Sequence, residues 1–218
     1  MRVRTHFMAA ALASAALLLT VASPASAQVA YGPKGGLNVS RVTFESSATT
    51  IVPAISARYG FNLGGFVTMD KGKAGLSVEV LYSQKGAKLD FSQAGQVNTI
   101  VAHGNYVDIP VLGRLNLKAS DTTTIHPYVG PEFGIKVNDE FTQTIRQNNV
   151  TTTTTMTDQL KGSDAGIAFG VEFDTHKVLV DVRYNIGLMN VDNQSGTNPP
   201  TVKNRTFSFM LGWNLAKK

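Results

Sequence analysis

Eight stretches of two-residue alternation run through this chain, and the connections between them are short and long by turns; that rhythm limits the fold more than any single segment does. The stretches are 29–40, 58–69, 74–87, 104–118, 125–138, 160–174, 178–191 and 203–215. Short turns follow the second, fourth and sixth: DKGK at 70–73, ASDTTT at 119–124 and DTHK at 174–177. Long polar segments, 41–57, 88–103, 139–159 and 192–202, follow the first, third, fifth and seventh. If the strands run up and down, every long connection falls at one end and every short turn at the other. An even strand count with that asymmetry is what a transmembrane barrel requires. Greek-key crossovers would break the rhythm. Helical periodicity is almost absent, and no segment after the N-terminal one has 18 consecutive apolar residues. The expected fold class is therefore all-β, an eight-stranded antiparallel up-and-down transmembrane β-barrel.

Successive side chains of a strand point to opposite faces, so each stretch has two. In VLVDVRYNIGL (178–188), Val178, Val180, Val182, Tyr184 and Ile186 share one face, and Asp181, Arg183 and Asn185 the other. The last stretch sets Phe207, Phe209, Leu211, Trp213 and Leu215 against Thr206, Ser208, Met210, Gly212 and Asn214. The sixth sets Ala165, Ile167, Phe169, Val171 and Phe173 against Asp164, Gly166, Ala168, Gly170 and Glu172; the fourth sets Val107, Ile109 and Val111 against Asp108 and Arg114. A soluble barrel would have to hold all the phenylalanines and Trp213 inside, yet an eight-stranded interior is only just wide enough for side chains. Turned the other way, the small and polar face fits the lumen and the large apolar face meets lipid. The residues expected on the lipid face are Val107, Ile109, Phe169, Phe173, Val180, Val182, Tyr184, Phe207, Phe209 and Trp213. Tyr59, Tyr82, Tyr184 and Trp213, near strand ends, suit the membrane interfaces.

This orientation encloses charge. Lys34, Lys85, Arg114, Lys136 and Arg183 face inward with Glu79, Asp108, Glu132, Glu172 and Asp181, and the two signs nearly cancel. Two readings follow, a polar conduit or a plug of paired charges. Buried charges persist only when paired, and so narrow a lumen leaves little room for water, which favours the plug. Arg183 is expected to pair with Glu172 on the preceding strand.

The N-terminus, MRVRTHFMAAALASAALLLTVASPASAQ, carries two arginines, an apolar run from Phe7 to Val21 and the small-residue site Ala25-Ser26-Ala27. It reads as a secretory signal peptide over 1–27, cleaved before Gln28, with the barrel domain over 28–218. Loss of Arg2 and Arg4 lowers the formal net charge from +5 to +3, too little to argue for nucleic acid. Cysteine is absent, so neither disulfides nor thiolate chemistry enter.

Six stretches in order resemble one family: GPKGGLNVS (32–40), EVLYSQKGAKLDF (79–91), NYVDIPVLGRLNL (105–117), PYVGPEFGIKV (127–137), DVRYNIGLMNV (181–191) and KNRTFSFMLGW (203–213). They resemble the small outer-membrane β-barrel proteins of the PorT-like, or "porin family", type. The resemblance implies an eight-stranded antiparallel barrel in an outer membrane, with outer-membrane lipid as its surroundings, and it brings no catalytic set with it. The chain departs from outer-membrane barrels generally at its C-terminus, where Ala216, Lys217 and Lys218 replace the usual terminal aromatic residue.

Other motifs carry little chemistry. His103, His126 and His176 lie far apart in sequence; His103 with Asp108 or with a loop serine is conceivable as a catalytic pair, but alternation puts Asp108 in the lumen. No metal-ligand spacing and no cofactor motif is found; GPKGG at 32–36 lacks the order of a phosphate-binding loop. The sequons at Asn38, Asn149, Asn193 and Asn204 are chance in a Thr- and Asn-rich chain, two of them inside expected strands. Within 139–159, Asn148-Asn149 marks a turn that would extend a hairpin above the membrane, and Thr151–Thr155 is β-prone, solvent-exposed sequence. The function expected is that of a monomeric, non-enzymatic outer-membrane barrel displaying four external segments. Its rivals are a narrow solute channel, a secreted soluble barrel holding an apolar ligand, and an outer-membrane lipid hydrolase.

Overall fold

The computed structural model describes residues 28–45, 54–93, 95–193 and 201–216. The expected leader, 1–27, lies outside the described residues. Ten strands follow one another: β1 (Gln28–Glu45), β2 (Ala54–Lys71), β3 (Ala74–Gln93), β4 (Gln96–Leu115), β5 (Leu117–Lys118), β6 (Thr123–Gln147), β7 (Val150–Met156), β8 (Ser163–Thr175), β9 (Val178–Gly187) and β10 (Thr201–Trp213). Eight of them close a ring in the order β4-β3-β2-β1-β10-β9-β8-β6, and β6 returns to β4. Every pairing is antiparallel, first strand against last included. The short β5 and β7 pair only with β6.

Closure follows from the solvent. Hydrocarbon offers no partner to a backbone N–H or C=O, so an open edge cannot persist there. The row of paired residues that leaves β2 at Tyr59 passes Val39, Phe207, Tyr184, Phe169, Val129, Gly113 and Leu76 and comes back to β2 at Met69. That stagger tilts the strands, by roughly 35–45° in closed barrels.

The distribution of side chains is inverted relative to a soluble barrel. Leu37, Tyr59, Leu63, Phe133, Phe209 and Trp213 are exposed, whereas Lys34, Glu79, Asp108, Asp181 and Arg183 are buried. Among the described residues Phe66, Tyr106 and Tyr128 nonetheless face inward. Space for them comes from missing side chains: a Cβ on Gly170 would stand 2.5 Å from Tyr128 Oη, and one on Gly104 2.8 Å from the Tyr106 ring.

Three of the four long connections are in large part strand, which corrects the expected boundaries. Segment 88–103 becomes the end of β3, a turn at Gly95 and the start of β4; segment 139–159 forms the expected hairpin, β6–β7, turning at Asn148-Asn149. Of segment 41–57, Arg41–Glu45 belongs to β1 and Ala54–Ala57 to β2. The reason is that backbone pairing continues above the apolar band, where the outward residue turns polar and alternation loses contrast. At the tip of the hairpin Asn148 and Asn149 have φ of 47° and 63°, the left-handed pair that a two-residue turn requires. At the other end the strands reverse through tight turns, at Gly72 (φ 61°) and at His176 (φ 53°).

Candidate functional site: the charged lumen

Each strand of the lower ring sends one or two polar residues inward, and these meet across the lumen. Lys34 of β1 lies between three carboxylates, with its Nζ 2.9 Å from Glu79, 2.7 Å from Glu172 and 3.0 Å from Asp181. Arg183 of β9 donates through Nη2 to both oxygens of Glu79 at 2.9 Å and to Asp181 at 2.8 Å. Arg114 of β4 joins Glu172 at 2.8 Å to Asp70 at 3.1 Å, nearer the short-turn end. Tyr128 donates its hydroxyl hydrogen to Asp181 and accepts from Arg183 Nε at 3.0 Å. A second group lies toward the long-loop end, where Lys85 holds Asp108 at 2.9 Å and Glu132 at 3.2 Å, and Asn185 donates to Glu132.

The inward aromatics belong to this network. Lys34 lies 5.5 Å from the Phe66 ring centroid, Lys85 5.3 Å from Tyr106, and Arg183 5.3 Å from Tyr128. Each of these cations thus has carboxylates on one side and a ring face on another, an attraction that grows when the cation is desolvated. With water largely excluded, carboxylates and cations hold one another by hydrogen bonds; removing one partner strands the rest.

Glu79, Glu172 and Asp181 offer oxygens within 4.8 Å of one another, close enough to hold a metal ion. The Lys34 ammonium already stands within 3.0 Å of all three and supplies the positive charge such a group needs. Around the network the interior cavities are small. One of about 10 Å³ is bordered by Lys85, Glu132, Asp164 and Asn204, and another of about 10 Å³ by Asn38, Asp108, Arg183 and Ser208. Each has room for about one water. At the short-turn mouth the lumen widens, to about 270 Å³ between Asp70, Arg114, His126, Glu172 and Asn214.

A match to the family described as "Outer membrane protein beta-barrel domain" covers residues 21–193. The chain belongs to that family. It is an integral β-barrel protein of the bacterial outer membrane. Among solved structures, Ail, the attachment invasion locus protein of Yersinia pestis, is 14% identical with a TM-score of 0.44, over 86% of this chain and 99% of that one. The outer membrane protein OprG from Pseudomonas aeruginosa is 10% identical with a TM-score of 0.46, over 87% and 97%. At these identities the likeness concerns the fold alone. No curated protein matches the chain.

On this outer-membrane barrel the expected inward residues fall into two sets. Nine of them, Lys34, Glu79, Lys85, Asp108, Arg114, Glu132, Glu172, Asp181 and Arg183, are buried in the two groups described. Lys136 is not among them. Its Nζ turns to the long-loop mouth, to Asp139 at 2.8 Å, Asp158 at 3.4 Å and the Leu160 carbonyl at 2.7 Å. The cause is the register shift between β4 and β6 at Asn105/Tyr106, which brings Asp139 round to the same side as Lys136. The partner expected for Arg183 also differs. Asp181 stands in register with Glu172, and Arg183 stands opposite Gly170, so the guanidinium reaches across the lumen to Glu79 while Glu172 is held by Lys34 and Arg114.

Of the residues expected on the lipid face, Phe169, Phe173, Phe207, Phe209 and Trp213 are exposed on the outside of the wall. Val107, Ile109, Val180, Val182 and Tyr184 lie on the same outward series, half-covered by their neighbours. Sequence reasoning missed Asp70, Tyr128, Phe66 and Tyr106. Their parity could have found them, because Phe66 alternates with Thr68 and Asp70, Tyr106 with Asp108, and Tyr128 with Glu132. His103 does not meet Asp108; its Nδ1 accepts from Arg58 at 2.8 Å. His126 donates from Nδ1 to Asn116 at 2.9 Å.

Proposed function

We propose that this outer-membrane barrel is a monomeric, closed, non-enzymatic scaffold that carries a β-sheet beyond the membrane for contact with external partners. The observation behind the closed barrel is the cross-lumen network of Lys34, Arg114 and Arg183 with Asp70, Glu79, Glu172 and Asp181, beside which the interior cavities hold about one water each. A hydrated ion would have to dismantle several buried pairs to pass. The non-enzymatic reading rests on His103 and His126, which are engaged by Arg58 and Asn116 rather than by a nucleophile. The external sheet is made by the upper parts of β3, β4 and β6, with β7 along its edge. Residues Val150–Met156 of β7 are all exposed and uncharged. An edge of that kind can pair with an extended segment of another chain.

Recording in planar bilayers tests the closed barrel. The wild-type protein is expected to give no discrete steps, while Lys34→Ala/Arg183→Ala, inserted in parallel, gives steps and so proves insertion. Stable unitary steps from the wild type would overturn the closed reading in favour of a channel.

A further inference from the structure

Two arginines face each other on the outside of the barrel. Arg41 of β1 is in register with Arg205 of β10. Both continue an outward apolar series, Tyr31, Leu37 and Val39 below Arg41, and Leu211, Phe209 and Phe207 below Arg205. Side chains directly opposite on neighbouring strands stand roughly 4.5–5.5 Å apart at Cβ, and like charges so placed repel. Lys203 lies one outward step beyond Arg205, in register with Thr43. The next neighbours do not relieve the repulsion, because Arg205 is opposite Ile186 on β9. Among the described residues neither arginine has an ion-pair partner.

Position gives the repulsion a meaning. The pair directly below, Val39 and Phe207, is apolar, and Tyr59, in register with Val39, is 79% exposed. The arginines therefore sit at the long-loop edge of the apolar band, at the depth where amphipathic side chains meet lipid headgroups. On β3 and β4 the residues that end the band, Gln84 and Asn105, are neutral, whereas β1 and β10 end theirs in arginine. One of the two heads is fixed in place: Arg205 Nη1 donates to the carbonyls of Gly187 at 2.7 Å and Asn204 at 3.1 Å.

We propose that Arg41 and Arg205 form a binding site for the phosphate group of an outer-leaflet lipid headgroup. An anion between the guanidiniums converts their repulsion into charge-assisted hydrogen bonds, for which arginine's fork is suited. The site rests on the outer-membrane barrel reading and adds to it a particular lipid chemistry at a particular place on the wall.

The full chain, folded into dodecyl maltoside micelles, which carry no phosphate, is given lipid A either diphosphorylated or with its phosphates removed. Bound lipid is counted by native mass spectrometry and thermal stability is read in the same samples. Wild type is expected to retain diphosphorylated lipid A, and Arg41→Gln/Arg205→Gln to retain less by on the order of tenfold. Arg41→Gln alone, which leaves the Arg205 anchor intact, should lose part of that retention. Lys118→Gln, at the opposite end, should lose none. The sign of the stability change is a second readout: the double variant should melt above wild type in the phosphate-free micelles, where only repulsion is removed, and below it with diphosphorylated lipid A. Equal retention by wild type and double variant, or equal retention of the dephosphorylated lipid, would overturn the site. Displacement of the lipid by excess inorganic phosphate would also overturn it, assigning the cations to a free anion. Heat-modifiable migration of each sample on a gel reads barrel formation separately, so failure of the site and failure of the fold are told apart.

Discussion

Arg183 shows how much one residue carries in a lumen this narrow. It is 2% exposed, donates to Glu79 and Asp181, and lies against Tyr128. In its group three cations, Lys34, Arg114 and Arg183, meet four carboxylates, Asp70, Glu79, Glu172 and Asp181, so carboxylate is in excess. Removing a cation and removing a carboxylate are therefore unequal losses. Arg183→Met leaves two buried carboxylates short of a partner and is expected to cost about 3–5 kcal/mol. Glu79→Gln, which keeps the shape and removes one excess charge, should cost less, and the double variant should recover part of the Arg183→Met loss. Urea unfolding in lipid vesicles, followed through the single tryptophan, Trp213, measures all three. Strict additivity of the two single changes would show that Arg183 and Glu79 do not depend on each other. Which residues face inward was legible in the sequence, because alternation fixes parity along each strand. Which of them pair was not. Parity says nothing about reach across a lumen, so it points to the carboxylate on the preceding strand, Glu172, and not to Glu79 on the far wall.

The elements above the membrane have their own logic, in which β6 is the longest strand and bends where its register with β4 shifts. Directly after that shift Asp139 accepts the amides of Asp158 at 3.1 Å and Leu160 at 2.7 Å, together with Lys136 Nζ at 2.8 Å. It thereby ties the chain leaving β7 back onto β6. Burial works against ionisation of Asp139, but the hydrogen bonds from Lys136, Leu160 and Asp158 outweigh it and hold the carboxyl below its usual range. A depressed carboxyl stabilises the fold above its unfolded value, near 4, and loses that contribution as pH falls through the lower folded value. The tie is thus intact at neutral pH and released only in acid. Asp139→Ala should speed hydrogen exchange at the Asp158 and Leu160 amides by roughly tenfold to a hundredfold at neutral pH, as expected for charge-assisted bonds. Exchange in the barrel strands should stay unchanged. Unaltered exchange at those two amides would remove Asp139 from this role. The Asn148-Asn149 turn was readable in advance because few residues tolerate two successive left-handed conformations. The strand ends within 88–103 were not, since the outward residues there turn polar and alternation loses contrast.

At the scale of the whole molecule, orientation decides everything else, and it was legible only from the chain as a whole. Val178 to Ile186 alternates equally well with its apolar face turned in or out. The long-short rhythm of connections and the bulk of Phe207, Phe209 and Trp213 settled the direction, and the ring of eight strands has that face outward. An outward apolar face in lipid has a depth dependence that no aqueous surface shares. Along β10 the outward series runs Arg205, Phe207, Phe209, Leu211, Trp213, Leu215, from one edge of the band to the other, and Phe209 lies near its middle. A charge at the bilayer midplane on the lipid face of a barrel costs about 2–4 kcal/mol, and near an interface about 0–1 kcal/mol. Phe209→Arg is therefore expected to lose several kilocalories of stability in vesicles, and Leu215→Arg almost none, although both are exposed to a similar degree. Transfer to water would abolish the contrast, because an exposed phenylalanine on a soluble protein gives way to arginine at little cost. Equal losses at the two positions in vesicles would mean that the band does not lie across the bilayer as the strand tilt and the Arg41–Arg205 edge place it.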